Sequence, residues 1–145
     1  MLLGQYEGRI EQKHRIAFPK KFRQFIGKEL LITKGIDQHL LILSAHDSNT
    51  LLEGTEGKPF TDKSTREVQR YLFGNASSVS LDSQGRFLLP DYLRQYAKLE
   101  KEVMFVGVRS YIEVWDKKLW EAHQKNLSEH IVTITETLQG RNGNE

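Results

Sequence analysis

A chain of 145 residues with 38% apolar and 28% charged residues is long enough for one well-buried domain, or for two small halves on a shared core, and its balance excludes a disordered chain. No apolar run approaches the ~20 residues of a membrane span, the opening MLLGQYEGRIEQKHR lacks the basic-then-apolar pattern of a secretory leader, and with no cysteine there is neither a disulfide framework nor a thiolate metal site. A cytoplasmic protein without a membrane partner is expected. The net charge of +2 is small but unevenly spread: from Arg9 to Lys34 eight basic residues stand against Glu11 and Glu29, a local +6 that leaves −4 for the rest.

In chain order, a short strand at Gly8–Glu11 runs into a polar turn, Gln12-Lys13-His14, and returns as a strand over Arg15–Phe18. Pro19 ends that strand and favours the start of a helix, Lys20–Ile26, with Phe22, Phe25 and Ile26 at helical spacing. A hairpin, Leu30–Lys34 with Leu40–Leu43, closes the unit. After a loop containing Gly54, Gly57 and Pro59, a helix over about Asp62–Phe73 is expected, with a capping box from Ser64 to Glu67 and Gly74 as its stop.

The same order then recurs. RIEQKHRIAFPKKFRQFIG lies over SLDSQGRFLLPDYLRQYAK at an offset of 71 residues, which sets Glu11 on Asp82, Arg15 on Arg86, Pro19 on Pro90 and Arg23 on Arg94. Past the helices the offset slips to 73 and then settles at 72, with Leu40 on Ile112. The second unit is therefore Val79–Leu81, the turn Ser83-Gln84-Gly85, Arg86–Leu89, helix Asp91–Lys98, and a hairpin of Val103–Val106 with Ile112–Trp115. Gly85 suits a turn position of positive φ, which His14 occupies less readily. Four short strands cannot bury both faces, so the two β-β-α-β-β repeats must interlock in one barrel-like core of α+β class. Asp116 can cap a long final helix that carries Trp120, His123, Leu127, Ile131, Ile134 and Leu138 on one side. Its β-branched far end needs a surface to dock on, and the closing GRNGNE is expected to be disordered.

Enzyme templates are missing. There is no GxSxG, HExxH, phosphate-loop or dinucleotide fingerprint, and His14, His39, His46, His123 and His130 show no ligand spacing. No catalytic or metal-ligating residue, no cofactor and no small-molecule substrate is assigned. The acid-x-x-x-Arg pair is the sharper feature, because across a tight turn a carboxylate and a guanidinium come together. Asp82–Arg86 either pins its turn or meets a ligand, and the pattern leaves both open. In the first copy Glu11, Lys13, His14 and Arg15 carry net positive charge, and a protruding basic β-ribbon is one way into a DNA groove; a solvated charged face is the plainer alternative.

These residues resemble the MraZ family of the SpoVT/AbrB-like superfamily, whose mark is two DxxxR motifs, one per repeat. The match is best from Glu67 to Trp115, with Asp82-Ser83-Gln84-Gly85-Arg86 a full DxxxR, and it extends over residues 1 to about 120. In the first copy, Glu11-Gln12-Lys13-His14-Arg15, glutamate stands where aspartate is usual and histidine where glycine is usual. The resemblance implies two tandem AbrB-like repeats, here residues 5–47 and 76–119, in a swapped-hairpin, double-psi-like barrel with a linker helix and a long C-terminal helix. It further implies a nucleoid-associated, ring-shaped homo-oligomer that binds double-stranded promoter DNA at short direct repeats upstream of its own division and cell-wall gene cluster. Arg9, Lys13, His14, Arg15 and Arg86 are the expected DNA-contacting residues, and Glu11, Asp82 and Gly85 the residues that shape the turns.

Overall fold

The computed structural model describes residues 1–52 and 57–143. In order these form β1 (Leu2–Arg9), β2 (Arg15–Ala17), α1 (Lys20–Ile26), β3 (Glu29–Lys34), β4 (Leu40–Ser44), α2 (Lys63–Gly74), β5 (Ser77–Ser80), β6 (Arg86–Leu88), α3 (Asp91–Tyr96), β7 (Glu102–Arg109), β8 (Ile112–Asp116) and α4 (Lys117–Gly143), with short 3-10 segments at Gln12–His14 and Ala45–Leu52. The β-β-α-β-β order recurs, and from the second strand on the element starts keep the slips of the repeat: Arg15 to Arg86 is 71 residues, Glu29 to Glu102 is 73, and Leu40 to Ile112 is 72; the first strand is instead Leu2–Arg9, earlier and longer than the expected Gly8–Glu11.

The units are not side by side; they exchange strands. β1, from the first repeat, runs antiparallel to β7 of the second, from Leu2 opposite Arg109 to Arg9 opposite Glu102. β5, from the second, runs antiparallel to β3 of the first. One six-stranded sheet results, in the order β1-β7-β8-β4-β3-β5, while β2 and β6 form a separate two-stranded ribbon, with one further bridge from Ile16 to Ile10. The β2–β6 ribbon is extended at both ends by matching bonds, Phe18 N–H to the Gly85 carbonyl at 2.8 Å and Leu89 N–H to the His14 carbonyl at 2.9 Å. Their 71-residue correspondence gives the ribbon a local two-fold symmetry.

Alternation along these short strands explains the shared core. Ile16 and Phe87 point inward from β2 and β6, and the repeat-related pairs Phe18/Leu89 and Phe22/Leu93 join them in a single buried cluster. Phe18 meets Phe87 and Phe105 edge-on, at 6.3 and 5.7 Å between ring centres, so side chains of both repeats fill one interior. Burying a side chain of this size contributes about 1.5–3 kcal/mol, which neither half could accumulate alone.

Two caps differ from expectation. At α2 it is Asp62, not Ser64, that closes the first turn, accepting hydrogen bonds from Thr65 N–H at 2.9 Å and Thr65 Oγ1 at 2.6 Å. Asp62 stands in extended conformation one residue outside the helix, where a short carboxylate reaches the third N–H. Gly54 of the expected loop lies outside the described residues. Asp116 does cap α4, its Oδ2 accepting from Leu119 N–H at 3.3 Å. Trp120 then anchors that helix against Met104 and Trp115, donating from Nε1 to Gln5 Oε1 at 3.1 Å. Beyond Gln124 every described side chain of α4 is exposed. The helix also continues through the expected disordered tail as far as Gly143.

Candidate nucleic-acid interface

The two acid-x-x-x-Arg turns share a frame but not their internal bonding. In each, the acid's N–H donates to the arginine's carbonyl, Glu11 to Arg15 and Asp82 to Arg86, both at 2.8 Å. In the second turn the Asp82 carboxylate also works as a local staple: Oδ1 accepts from the N–H groups of Gln84 (2.8 Å) and Arg86 (2.9 Å), and Oδ2 accepts from Arg86 Nε at 3.2 Å. The Arg86 N–H bond foremost, then that of Gln84 and the guanidinium, holds the Asp82 carboxyl below the usual carboxylate range despite some desolvation. Gly85 supplies the left-handed residue, with φ +75°.

Glu11 does none of this. Its longer side chain makes no capping bond to the turn, and no ion pair joins it to Arg15 among the described residues. The turn is a 3-10 segment in which both Lys13 (φ 62°) and His14 (φ 57°) are left-handed. Without glycine or an Asx-type staple, the backbone reverses by placing two ordinary residues in a conformation that costs roughly 1–2 kcal/mol each.

Period-two alternation sets the outer face of the ribbon. With Ile16 and Phe87 inward, Arg15, Ala17, Arg86 and Leu88 face out, Arg15 opposite Leu88 and Ala17 opposite Arg86. Arg15 and Arg86 are thus diagonal neighbours, and a cleft of about 370 Å³ is lined by Glu11, Gln12, Lys13, Arg15 and Arg86. Arg86 is anchored and partly covered. Arg15 and Lys13 are exposed, so their charges are available to a polyanion without breaking an internal pair.

Each turn is flanked by the first helix of the other repeat. Beside the first lies α3, with His14 Nδ1 3.8 Å from Asp91 Oδ1. Asp91 is itself bonded by Arg94 at 2.8 Å and Gln95 at 2.7 Å, and the Arg94 hydrogen bond leads in holding its carboxyl below the usual range. Beside the second turn lies α1, which brings Lys20 and Arg23, with Lys28 just past its end, to a cleft shared with Asp82, Ser83 and Gly85. Arg23 Nε donates to the Phe18 carbonyl at 2.8 Å.

Among the residues singled out from the sequence, Lys13, Arg15, Arg86 and Glu11 therefore come together at one cleft. Asp82 and Gly85 build the neighbouring turn, His14 leans toward Asp91, and Arg9 stands at the end of β1 opposite Glu102. The sequence reading missed Asp91 and Arg94 as neighbours of the first turn. The 71-residue repeat held the clue, since a two-fold ribbon carries each turn to the opposite repeat's helix. Among the described residues no group of three or more histidines and acids could hold a metal ion, and no helix is long and apolar enough to cross a membrane.

A family model described as "MraZ protein, putative antitoxin-like" matches the chain twice, over residues 1–71 and 72–142. Similar proteins include the "Transcriptional regulator MraZ" of Caldanaerobacter subterraneus subsp. tengcongensis, 37% identical over 142 residues that cover 98% of this chain and 99% of the relative. That of Acetivibrio thermocellus is 38% identical over 138 residues, covering 95% and 96%, and that of Carboxydothermus hydrogenoformans is 38% identical with the same coverage. With two copies of the family pattern spanning nearly its whole length, this chain belongs to the MraZ family.

Proposed function

We propose that this protein is a sequence-specific DNA-binding transcriptional regulator, not an enzyme. On this reading it works in the cytoplasm on the nucleoid as a ring-shaped homo-oligomer, binding short direct repeats in the promoter of its own division and cell-wall gene cluster. The observation that carries the reading is Arg15, exposed on the outer face of the two-fold ribbon, unpaired with Glu11, and flanked by Lys13 and the anchored Arg86. Lys13 and Arg15, with His14 at the turn and Arg9 further along β1, contact phosphates and base edges; Arg86, stapled by Asp82, shapes the adjoining turn and lends charge. The exchanged first strands and the β2–β6 ribbon, residues 5–47 and 76–119, are read as the swapped-hairpin, double-psi-like barrel that presents this face. No cofactor or small-molecule substrate enters.

A single small basic ribbon binds weakly, so affinity comes from several copies engaging successive repeats, with steep salt dependence. The names of the relatives support the regulator reading, and the local +6 charge supports the partner. The test is retention of the DNA upstream of the gene by Arg15→Ala: it is expected to be lost while the native mass of the protein is unchanged. Retention equal to that of the parent protein would remove Arg15 from the site, and no salt-sensitive retention by the parent protein would overturn the reading itself.

A further inference from the structure

The outer face of the β2–β6 ribbon is half arginine and half apolar. The repeat carries Arg15 onto Arg86 and Ala17 onto Leu88, and antiparallel pairing sets Arg15 opposite Leu88 and Ala17 opposite Arg86. The four side chains therefore form a small square, arginines on one diagonal and apolar groups on the other. Leu88 is 61% exposed, although its chain neighbours Phe87 and Leu89 are each only 2% exposed in the core. A lone exposed leucine on a protein surface is ordinary. This one stands directly across the ribbon from Arg15, with Lys13 in the cleft shared by Arg15 and Arg86 and Lys20, Arg23 and Lys28 gathered beside the other turn. A polyanion that meets the arginines must also cover it.

We infer that Leu88 is a specificity-determining residue that reads the 5-methyl groups of thymine in the major groove of DNA. The inference rests on the DNA-binding reading above and adds to it the kind of base feature recognised. A two-stranded ribbon fits the major groove, which is about 12 Å wide, and the thymine methyl is the apolar group that this groove presents. The square matches that mixed floor: a guanidinium takes the base acceptors, and an apolar side chain takes the methyl. Water leaves both apolar surfaces when they meet, and burying one methyl-sized group contributes a factor of about four in affinity. Of the two apolar positions, Leu88 has the reach. Ala17 ends at its Cβ, and its partner across the ribbon, Arg86, is held by Asp82 at 3.2 Å. Leu88 instead faces Arg15, which is exposed and has no such staple. Cβ atoms directly opposite each other lie roughly 5 Å apart, and bases along one strand follow at about 3.4 Å. The thymine read by Leu88 therefore lies one or two base steps from the base read by Arg15.

The experiment uses the full chain and the DNA immediately upstream of its gene, prepared once with thymidine and once with deoxyuridine, which lacks only the 5-methyl group. The parent protein is expected to bind the deoxyuridine fragment at least about fourfold more weakly. Leu88→Ala should bind the thymidine fragment more weakly and lose the distinction between the two DNAs. Leu88→Met, an apolar side chain of similar volume, should keep it. Removing methyl groups also alters groove shape, but that acts on every variant alike, so comparing the discrimination ratios isolates the side chain. Replacing thymidines one at a time should place the sensitive base within two steps of the position at which Arg15→Ala loses its preference. Equal binding of both fragments by the parent protein, or undiminished discrimination by Leu88→Ala, would overturn the role of Leu88 and leave the DNA reading standing. A smaller native mass for Leu88→Ala with its discrimination unchanged would give this patch to a second copy instead. No salt-sensitive retention of either fragment would overturn the DNA reading and this inference with it.

Discussion

The Arg23 guanidinium lies so close over Gly85 that a Cβ added to that glycine would stand 2.0 Å from Arg23 Cζ. Gly85 is thus doubly required, by its φ of +75° and by the side chain above it. Gly85→Ala is expected to destabilise the fold by about 1–3 kcal/mol, from left-handed strain together with displacement of Arg23. Introducing it into an Arg23→Ala background should shrink the penalty to the backbone share, roughly 1 kcal/mol. Urea denaturation of the four proteins measures this as a double-mutant cycle, and an equal penalty in both backgrounds would show that the overlap with Arg23 carries no energy.

The repeat-related position tells the opposite story. His14 occupies the place of Gly85 with φ 57°, and the mate of Arg23, Arg94, is drawn aside to Asp91. His14→Gly relieves left-handed strain of roughly 1–2 kcal/mol and gives back about 0.5–1 kcal/mol in unfolded-chain entropy. A net gain of about 0.5 kcal/mol in stability, seen as a higher urea midpoint, is expected. A loss would mean that the His14 contact with Asp91 outweighs the turn strain.

Local structure was legible because it has local causes. Pro19 and Pro90 break strands, alternation buries Ile16 and Phe87, and the slips of 71, 73 and 72 residues reappear in the element starts. Which hairpin each first strand would join was not legible, because both hairpins offer similar edges. Packing decides it. A Cβ at Gly107 would stand 2.6 Å from Leu3 N, and one at Gly8 would stand 2.5 Å from a Phe105 ring carbon, so β1 fits against β7 only with glycine at both crossings. The first hairpin has Lys34 at the position of Gly107, and the strand paired there, β5, is four residues long against eight for β1. The site was half legible for the same reason. Charge and motif picked out Lys13 and Arg15, but Asp91 reaches His14 only through the tertiary exchange.

A second coupling joins the repeats through a half-buried acid. Glu113 Oε2 lies 3.1 Å from His39 Nε2, with His39 only 3% exposed, and Glu113 Oε1 accepts from Trp115 Nε1 at 3.0 Å. Burial pushes this carboxyl up, but the hydrogen bonds from His39 and Trp115, with the charges of His39 and His123 behind them, hold it below its ordinary 4.5. A depressed folded value stabilises the protein fully above the unfolded value of 4.5 and loses that contribution as pH falls through the folded one. Glu113→Gln should therefore cost about 1–3 kcal/mol near neutrality, with the gap to the parent protein closing only in acid below that value. Denaturation followed by tryptophan fluorescence reads the gap directly, and a constant gap down to the acid limit would deny the charge any part.

On the proposed interface, Lys13 and Arg15 should fail in different ways. Lys13 stands at the tip of the turn with a mobile point charge suited to a phosphate, whereas Arg15 projects from the ribbon with a planar fork suited to a base edge. Lys13→Gln keeps the length of the side chain and removes the charge. It should weaken every DNA sequence alike and lower the slope of log K against log salt by about 0.9, one released counterion per phosphate contact. Arg15→Ala should in addition erase about 1–3 kcal/mol of preference for the promoter repeats over scrambled DNA. Titrating both variants against the two DNAs at several salt concentrations separates the roles. If Lys13→Gln instead lost the sequence preference and Arg15→Ala lost only the slope, base reading would belong to the strained turn, and the histidine where the family usually has glycine would become the natural candidate for altered target choice.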